Sequence, residues 1–247
     1  TTIFKALIAL KTRNPIVFSF HPSAQQCSVH AAQIVLDAAV AAGAPKDCIQ
    51  WIAKPSMEGT SSLMKHPGVA TILATGGNAM VEAAYSCGKP ALGVGAGNVP
   101  AYVEKSANVR QAANDIVLSK AFDNGMVCAS EQAAIIDKEI YDDMIKEMKA
   151  FGVYFVNKKE KALLEEFAFG VKANSKSCGG AKLNAAMVGK SAVWIAEQAG
   201  FSVPAHTNIL AAECAEVGEA EPLTREKLSP ILAVLKANTT EEGMTLA

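Results

Sequence analysis

An α/β fold with mainly parallel sheets follows from three features of the sequence. Short β-rich runs alternate with helical ones along all 247 residues. The β-rich runs are nearly continuous in apolar residues, as strands buried on both faces are. The segments between them are long enough for helices, which makes βαβ units the economical reading. The length suits two modest domains or one large one.

Ile3, Leu7 and Leu10 fall at helical spacing, so a helix is expected from the first residues. Strands are predicted at 15–20, 48–52, 69–74, 90–94, 132–136, 184–188, 208–212 and 230–235. Helices are predicted at 28–42, 78–87, 108–122, 138–150, 158–169 and 190–199. In the first of these, Val29, Ala32, Leu36 and Val40 make one apolar stripe that would pack on a sheet, and Gly43 is placed to end the helix as a C′ residue. Thr239-Thr240-Glu241-Glu242 is a good helix start with few residues after it. Both ends therefore read as cuts through a larger fold.

A net charge of −1 leaves no electrostatic footprint for nucleic acid or an anionic membrane. No apolar run approaches the roughly 20 residues needed to span a bilayer, and the first residues lack the features of a signal peptide. The six cysteines, at 27, 48, 87, 128, 178 and 214, form no Cys-x-x-Cys pair and sit near no histidine cluster. Neither a disulfide scaffold nor a metal site is expected; reduced thiols in a cytoplasmic protein are.

From Pro67 to Val103 the only charged residues are Glu82 and Lys89, and seven glycines fall between Gly68 and Gly97. Such a stretch should lie deep, with backbone approaching a neighbour closely. The run Val69–Ala74 followed by Thr75-Gly76-Gly77-Asn78 reads as strand, tight turn and helix start, where unpaired N–H groups and the helix dipole suit a phosphate. Gly93-Val94-Gly95-Ala96-Gly97-Asn98 also follows a strand. Neither matches the G-x-G-x-x-G fingerprint, and on motif alone tight turns and sheet–helix packing explain the glycines better. His21, after the strand at 15–20, reads on its own as a turn or surface histidine.

The most informative stretch is Phe122-Asp123-Asn124-Gly125-Met126-Val127-Cys128-Ala129-Ser130-Glu131-Gln132. A bare cysteine is usually a small buried hydrophobe. Here it stands before a strand and after a turn, and the sequence resembles the nucleophile motif of CoA-acylating aldehyde dehydrogenases, especially the dehydrogenase half of bifunctional aldehyde-alcohol dehydrogenases. The resemblance runs along essentially the whole chain. Ile72–Gly77 is similar to the family's turn for the cofactor pyrophosphate, and Gly88–Asn98 to the segment beside the nicotinamide. Gly200–Pro204 matches as well, and Glu226-Lys227-Leu228-Ser229-Pro230 resembles the segment whose glutamate holds the nicotinamide ribose.

The resemblance implies an aldehyde dehydrogenase-like fold, with part of a Rossmann-like NAD-binding domain at 1–96 and part of an α/β catalytic domain at 97–247. It implies Cys128 as the catalytic nucleophile. It implies NAD held at Thr75, Gly76, Gly77, Gly95 and Glu226, no metal, and coenzyme A as co-substrate. The substrate would be a short aldehyde, acetaldehyde first, interconverted with its acyl-CoA as in fermentation. The Cys128 N–H and an amide from a loop preceding Thr1 in the family would hold the oxyanion. Val94 stands where hydrolytic relatives carry the glutamate that activates water, and no carboxylate occurs between Glu82 and Glu104. A thioester without that base survives until a thiol takes it. A homo-oligomer is implied, with an iron-dependent alcohol dehydrogenase domain on the same polypeptide as an option. The chain covers about half of the family's dehydrogenase unit.

Other readings stay open at this point. Glutamyl-phosphate reductase is built on a related fold and needs no CoA. A CoA-dependent succinate-semialdehyde dehydrogenase would want an arginine for its second carboxylate, and Arg13, Arg110 and Arg225 are the only arginines. A non-catalytic piece of an oligomer or filament is the third.

Overall fold

The computed structural model describes residues 1–95, 97–171 and 182–247. Ala96, the last residue of the expected cofactor part, and Cys178 lie outside the described residues. The chain divides into two compact units, Thr1–Gly95 and Ala96–Ala247.

In the first unit, α1 (Thr2–Lys11) and α2 (Gln25–Ala41) accompany β1 (Ile16–Phe18) and β2 (Ile49–Trp51), which pair in parallel. Phe18, Phe20, Ala32, Cys48 and Ile49 form the buried cluster, with Val29 and Leu36 of the α2 stripe packed on it. Gly43 is left-handed (φ +96°) and ends α2 as expected, its N–H bonding the Val40 carbonyl while that of Ala44 reaches Ala39. The α1 stripe behaves differently: Ala6 and Ala9 are buried, whereas Ile3 and Leu7 face outward. Next, α3 (Met57–Lys65) leads to β3 (Ile72–Thr75), α4 (Asn78–Tyr85) and β4 (Ala91–Val94). β3 and β4 are parallel, with Thr75 beside Val94. A Cβ on Gly93 would come within 2.5 Å of Val81 and 2.8 Å of the Tyr85 ring, so glycine is what lets α4 lie on β4.

The second unit holds β5 (Pro100–Val103), α5 (Val109–Ala121), β6 (Ala133–Asp137), α6 (Tyr141–Ala150), β7 (Val153–Phe155), α7 (Lys158–Phe169), α8 (Ala192–Ala199), β8 (Ile209–Glu213), β9 (Ile231–Ala237) and α9 (Thr240–Leu246). Its five strands run in the order β5-β6-β9-β8-β7, and every pairing is parallel. Side chains alternate between faces. Ala133 and Ile135 of β6 join a core with Leu164, Phe169, Met187 and Ile195, while Ala134 and Ile136 join Val117, Met144 and Met148 on the other face. The result is a sheet between two helical layers. Asn157 and Glu160 form a complete capping box at the start of α7, and left-handed Gly170 ends it.

The expected strand at 184–188 is corrected: Ala185–Met187 is a single 3-10 turn. The Asn184 side chain caps it by accepting from the Ala186 N–H, and its amide donates to the Phe167 carbonyl. An Asx cap competes here with extended pairing and wins. The reading missed α3, and it missed β5 and β7, the two edge strands. Edge strands pair on one side and can be short, and Pro100 at the start of β5 is tolerated there.

Candidate active site

The Cys128 loop is built by an unusual turn. After α5 the chain makes one 3-10 turn, Phe122–Gly125, in which Asp123 (φ 50°), Asn124 (φ 51°) and Gly125 (φ 68°) are all left-handed. Asp and Asn are the non-glycine residues that best tolerate this region. Asn124 secures the turn by donating from Nδ2 to the Gly189 carbonyl at 3.0 Å. Gly125 is buried, and a Cβ there would lie 2.4 Å from the Ser229 carbonyl oxygen. Beyond it the Ser130 N–H closes a turn onto the Val127 carbonyl at 3.0 Å, and Ser130 Oγ donates to Gly125 O at 3.4 Å. Cys128 stands exposed on that turn. Among the described residues its N–H donates to no acceptor. An open pocket of about 150 Å³ is lined by Ser119, Phe122, Val127, Ala129 and Ser130, residues on either side of Cys128 in sequence but not Cys128 itself.

Glu226 is brought to this loop by sheet topology. Cys128 lies five residues before β6 and Glu226 five residues before β9. Those strands are parallel neighbours, so their leading segments emerge at one sheet edge. Gly125 meets the Ser229–Pro230 backbone there. Gln132, fully buried, joins the two segments: its Oε1 accepts from the Lys227 N–H at 3.2 Å and from Lys120 Nζ at 3.2 Å. Lys227 Nζ donates to the carbonyls of Gln132 (3.0 Å), Leu223 (2.6 Å) and Arg225 (2.8 Å), the last two in the segment leading to Glu226.

Lys120 and Lys227 are both fully buried. Burial pushes Lys120 down to about 7, against the opposing pull of the Glu131 and Glu226 charges. Burial also holds Lys227 well below the usual lysine range, and the neighbouring Lys120 charge adds to the effect. Glu131 Oε2 and Ser229 Oγ are buried beside this network with no hydrogen-bond partner among the described residues. Sequence reading missed both lysines. Their only signal was a lysine inside an otherwise core-like context, and burial of that kind is rare enough to be discounted in advance.

The remaining expected residues gather in the first unit. Thr75 ends β3, Gly76 bonds the Val94 carbonyl through its N–H at 3.2 Å, and Gly77 is the N-cap of α4. Gly95 follows β4 directly, and a Cβ there would lie 2.6 Å from Asn78 Oδ1. All four thus sit at the carboxyl edge of the β3–β4 pair and the start of α4, a place where α/β sheets take ligands. At Gly77 no described atom would lie within 4 Å of an added Cβ, so the backbone there is open. Among the described residues no cluster of three His, Cys, Asp or Glu is placed to hold a metal, and no helix is long and apolar enough to cross a membrane.

The sequence profile of the aldehyde dehydrogenase family matches residues 1–162. An aldehyde-alcohol dehydrogenase of Streptococcus pneumoniae is 78% identical over all 247 residues, which cover 28% of its length. An acetylating aldehyde dehydrogenase from Geobacillus thermoglucosidasius superposes with a TM-score of 0.91 at 48% identity, over 100% of this chain and 53% of that one. A propionaldehyde dehydrogenase from Rhodopseudomonas palustris, solved with CoA and an acylated cysteine, gives a TM-score of 0.84 at 35% identity, over 99% of this chain and 54% of that one. The chain spans about a quarter of the first relative and about half of the two solved proteins.

Proposed function

The chain belongs to the aldehyde dehydrogenase family, and from that premise we propose that it carries the nucleophile and most of the cofactor site of a CoA-acylating aldehyde dehydrogenase. The observation that carries the reading is Cys128, exposed on a turn held by the close packing of Gly125 and the Asn124 hydrogen bond, in the segment that leads into β6 beside the Glu226 segment leading into β9.

The Cys128 sulfur attacks the aldehyde carbonyl carbon. A C–S bond forms, and the carbonyl oxygen becomes an oxyanion to which the Cys128 N–H donates. A bound nicotinamide dinucleotide supplies the hydride acceptor. Loss of hydride from the thiohemiacetal leaves an acyl thioester on Cys128. The thiol of CoA, giving up its proton, then attacks that carbonyl, and Cys128 leaves as thiolate. Val94, at the exposed end of β4, offers no base to activate water, which favours the thiol acceptor. The solved relative holding CoA and an acylated cysteine supports an acyl-cysteine intermediate with CoA as its acceptor.

The residues present fit the dinucleotide. The open backbone at Gly77, at the N-terminus of the eight-residue α4, suits its pyrophosphate, with Gly76 holding the turn and Gly95 leaving room for Asn78 where a side chain would strike it. Glu226 would accept from the nicotinamide ribose hydroxyls. NAD rather than NADP, acetaldehyde as substrate, a cytoplasmic homo-oligomer, and an alcohol dehydrogenase unit on the same polypeptide belong to this proposal. The name of the pneumococcal relative supports the last.

The test is NADH formation from acetaldehyde, NAD⁺ and CoA, in this chain and in a version extended to the length of the solved relatives. Acetyl-CoA should form, and Cys128→Ala should abolish it while leaving NADH binding intact. Aldehyde oxidation that proceeds without CoA, or that survives Cys128→Ala, would refute the assignment.

A further inference from the structure

The buried lysines are not used by the chemistry above, and together they cost the fold a desolvation penalty that a hydrocarbon would avoid. Their contacts converge on one residue. Lys120 Nζ and the Lys227 backbone N–H share Gln132 Oε1, so Lys120, Gln132 and the Glu226–Lys227 peptide form a continuous chain of hydrogen bonds. Gln132 is held in turn by its Nε2 donating to the Ser130 carbonyl at 3.2 Å, on the Cys128 turn. Lys227 Nζ fixes the carbonyls at 223 and 225 before Glu226, and the Lys227 N–H just after it is held by Gln132 Oε1.

We infer that Lys120 is a positioning residue for Glu226: it donates to Gln132 Oε1, which also accepts from the Lys227 N–H, and so fixes the Glu226–Lys227 peptide on which dinucleotide affinity depends. This rests on the reading of Glu226 as the ribose-binding residue. The charged groups that act on Lys120 are Glu131, from the Cys128 segment, with Glu226 and Lys227 from the segment before β9. Cys214 and Glu226 act on Lys227. Burial brings Lys120 into the range where its charge changes near neutral pH. On losing its proton, Lys120 offers Gln132 only a neutral amine in place of a charge-assisted donor, and the hold on the Glu226–Lys227 peptide weakens.

The experiment is NADH affinity by fluorescence titration at about pH 6 and about pH 9, in the wild type and in Lys120→Met, which keeps the length and packing of the side chain. The wild type should bind about tenfold more weakly at the higher pH, the scale of one charge-assisted contact. Lys120→Met should bind at the weaker level at both values, with the pH dependence gone. An unchanged profile in Lys120→Met, or a flat profile in the wild type, overturns the inference. A purely structural lysine would weaken binding equally at both pH values and leave the slope in place. If NADH fails to bind at any pH, the ribose reading of Glu226 falls, and amide exchange of residues 223–230 decides the rest. Exchange at one pH that is faster in Lys120→Met supports the clamp; equal exchange overturns it.

Discussion

Gly125→Ala tests the idea that the Cys128 loop is pinned to the backbone leading into β9. The added Cβ would lie 2.4 Å from the Ser229 carbonyl oxygen, 2.5 Å from its carbon and 3.0 Å from the Pro230 nitrogen. All three are backbone atoms next to a buried central strand, and no rotamer change relieves them. Gly125 also has φ +68°, which costs an alanine about 1–2 kcal/mol. Overlap in a packed site adds about 1–3 kcal/mol, so the expected loss is about 2–5 kcal/mol. Gly200→Ala is the matched control. Its φ is +94° at the end of α8, but no described atom would lie within 4 Å of the new Cβ. It should cost only the conformational part, about 1–2 kcal/mol. Urea melts of the two variants read the difference as a shift in midpoint at constant slope. If Gly125→Ala is as stable as Gly200→Ala, the packing between the two site segments is not what fixes the loop.

Two further outcomes concern stability. Asn157→Ala removes the side-chain half of the α7 capping box, the acceptor of the Lys159 and Glu160 N–H groups, and should cost about 1 kcal/mol, seen in denaturant melts and as faster exchange of the first turn of α7; a change within error would mean the cap is idle. Lys120 should also shape stability against pH. Its folded value is lowered from 10.5 to about 7. Between those values the unfolded chain keeps a proton that the native chain has lost, so native stability rises with pH, by at most about 1.4 kcal/mol per pH unit. The burial penalty is fully present below about pH 7 and fades towards 10.5. Lys120→Met should remove that rise, and an identical pH slope in the variant would contradict a charged, buried Lys120.

Much of the molecule was legible along the chain because it is locally encoded. The β6, β8 and β9 strands announce themselves as apolar runs, since a central parallel strand is covered on both faces. Gly43 and Gly200 end helices for reasons internal to the backbone. The Cys128 stretch was recognisable by its resemblance to a family motif, and its Asp-Asn-Gly turn proves left-handed at three successive positions, a region those residues tolerate. Where local cues conflict, sequence reading failed: residues 184–188 looked like a strand, but the Asn184 cap made them a turn.

What the tertiary structure alone decided is proximity and burial. Nothing in the spacing between Cys128 and Glu226 says that their segments share one edge of a sheet. Their segments come together because β6 and β9 are parallel neighbours whose leading ends share an edge, where Gly125 meets Ser229 and Gln132 meets Lys227. The same holds for Lys120, Gln132 and Lys227. A lysine's ordinary place is the surface, and its desolvation depends on what three separate segments of chain enclose rather than on its neighbours in sequence.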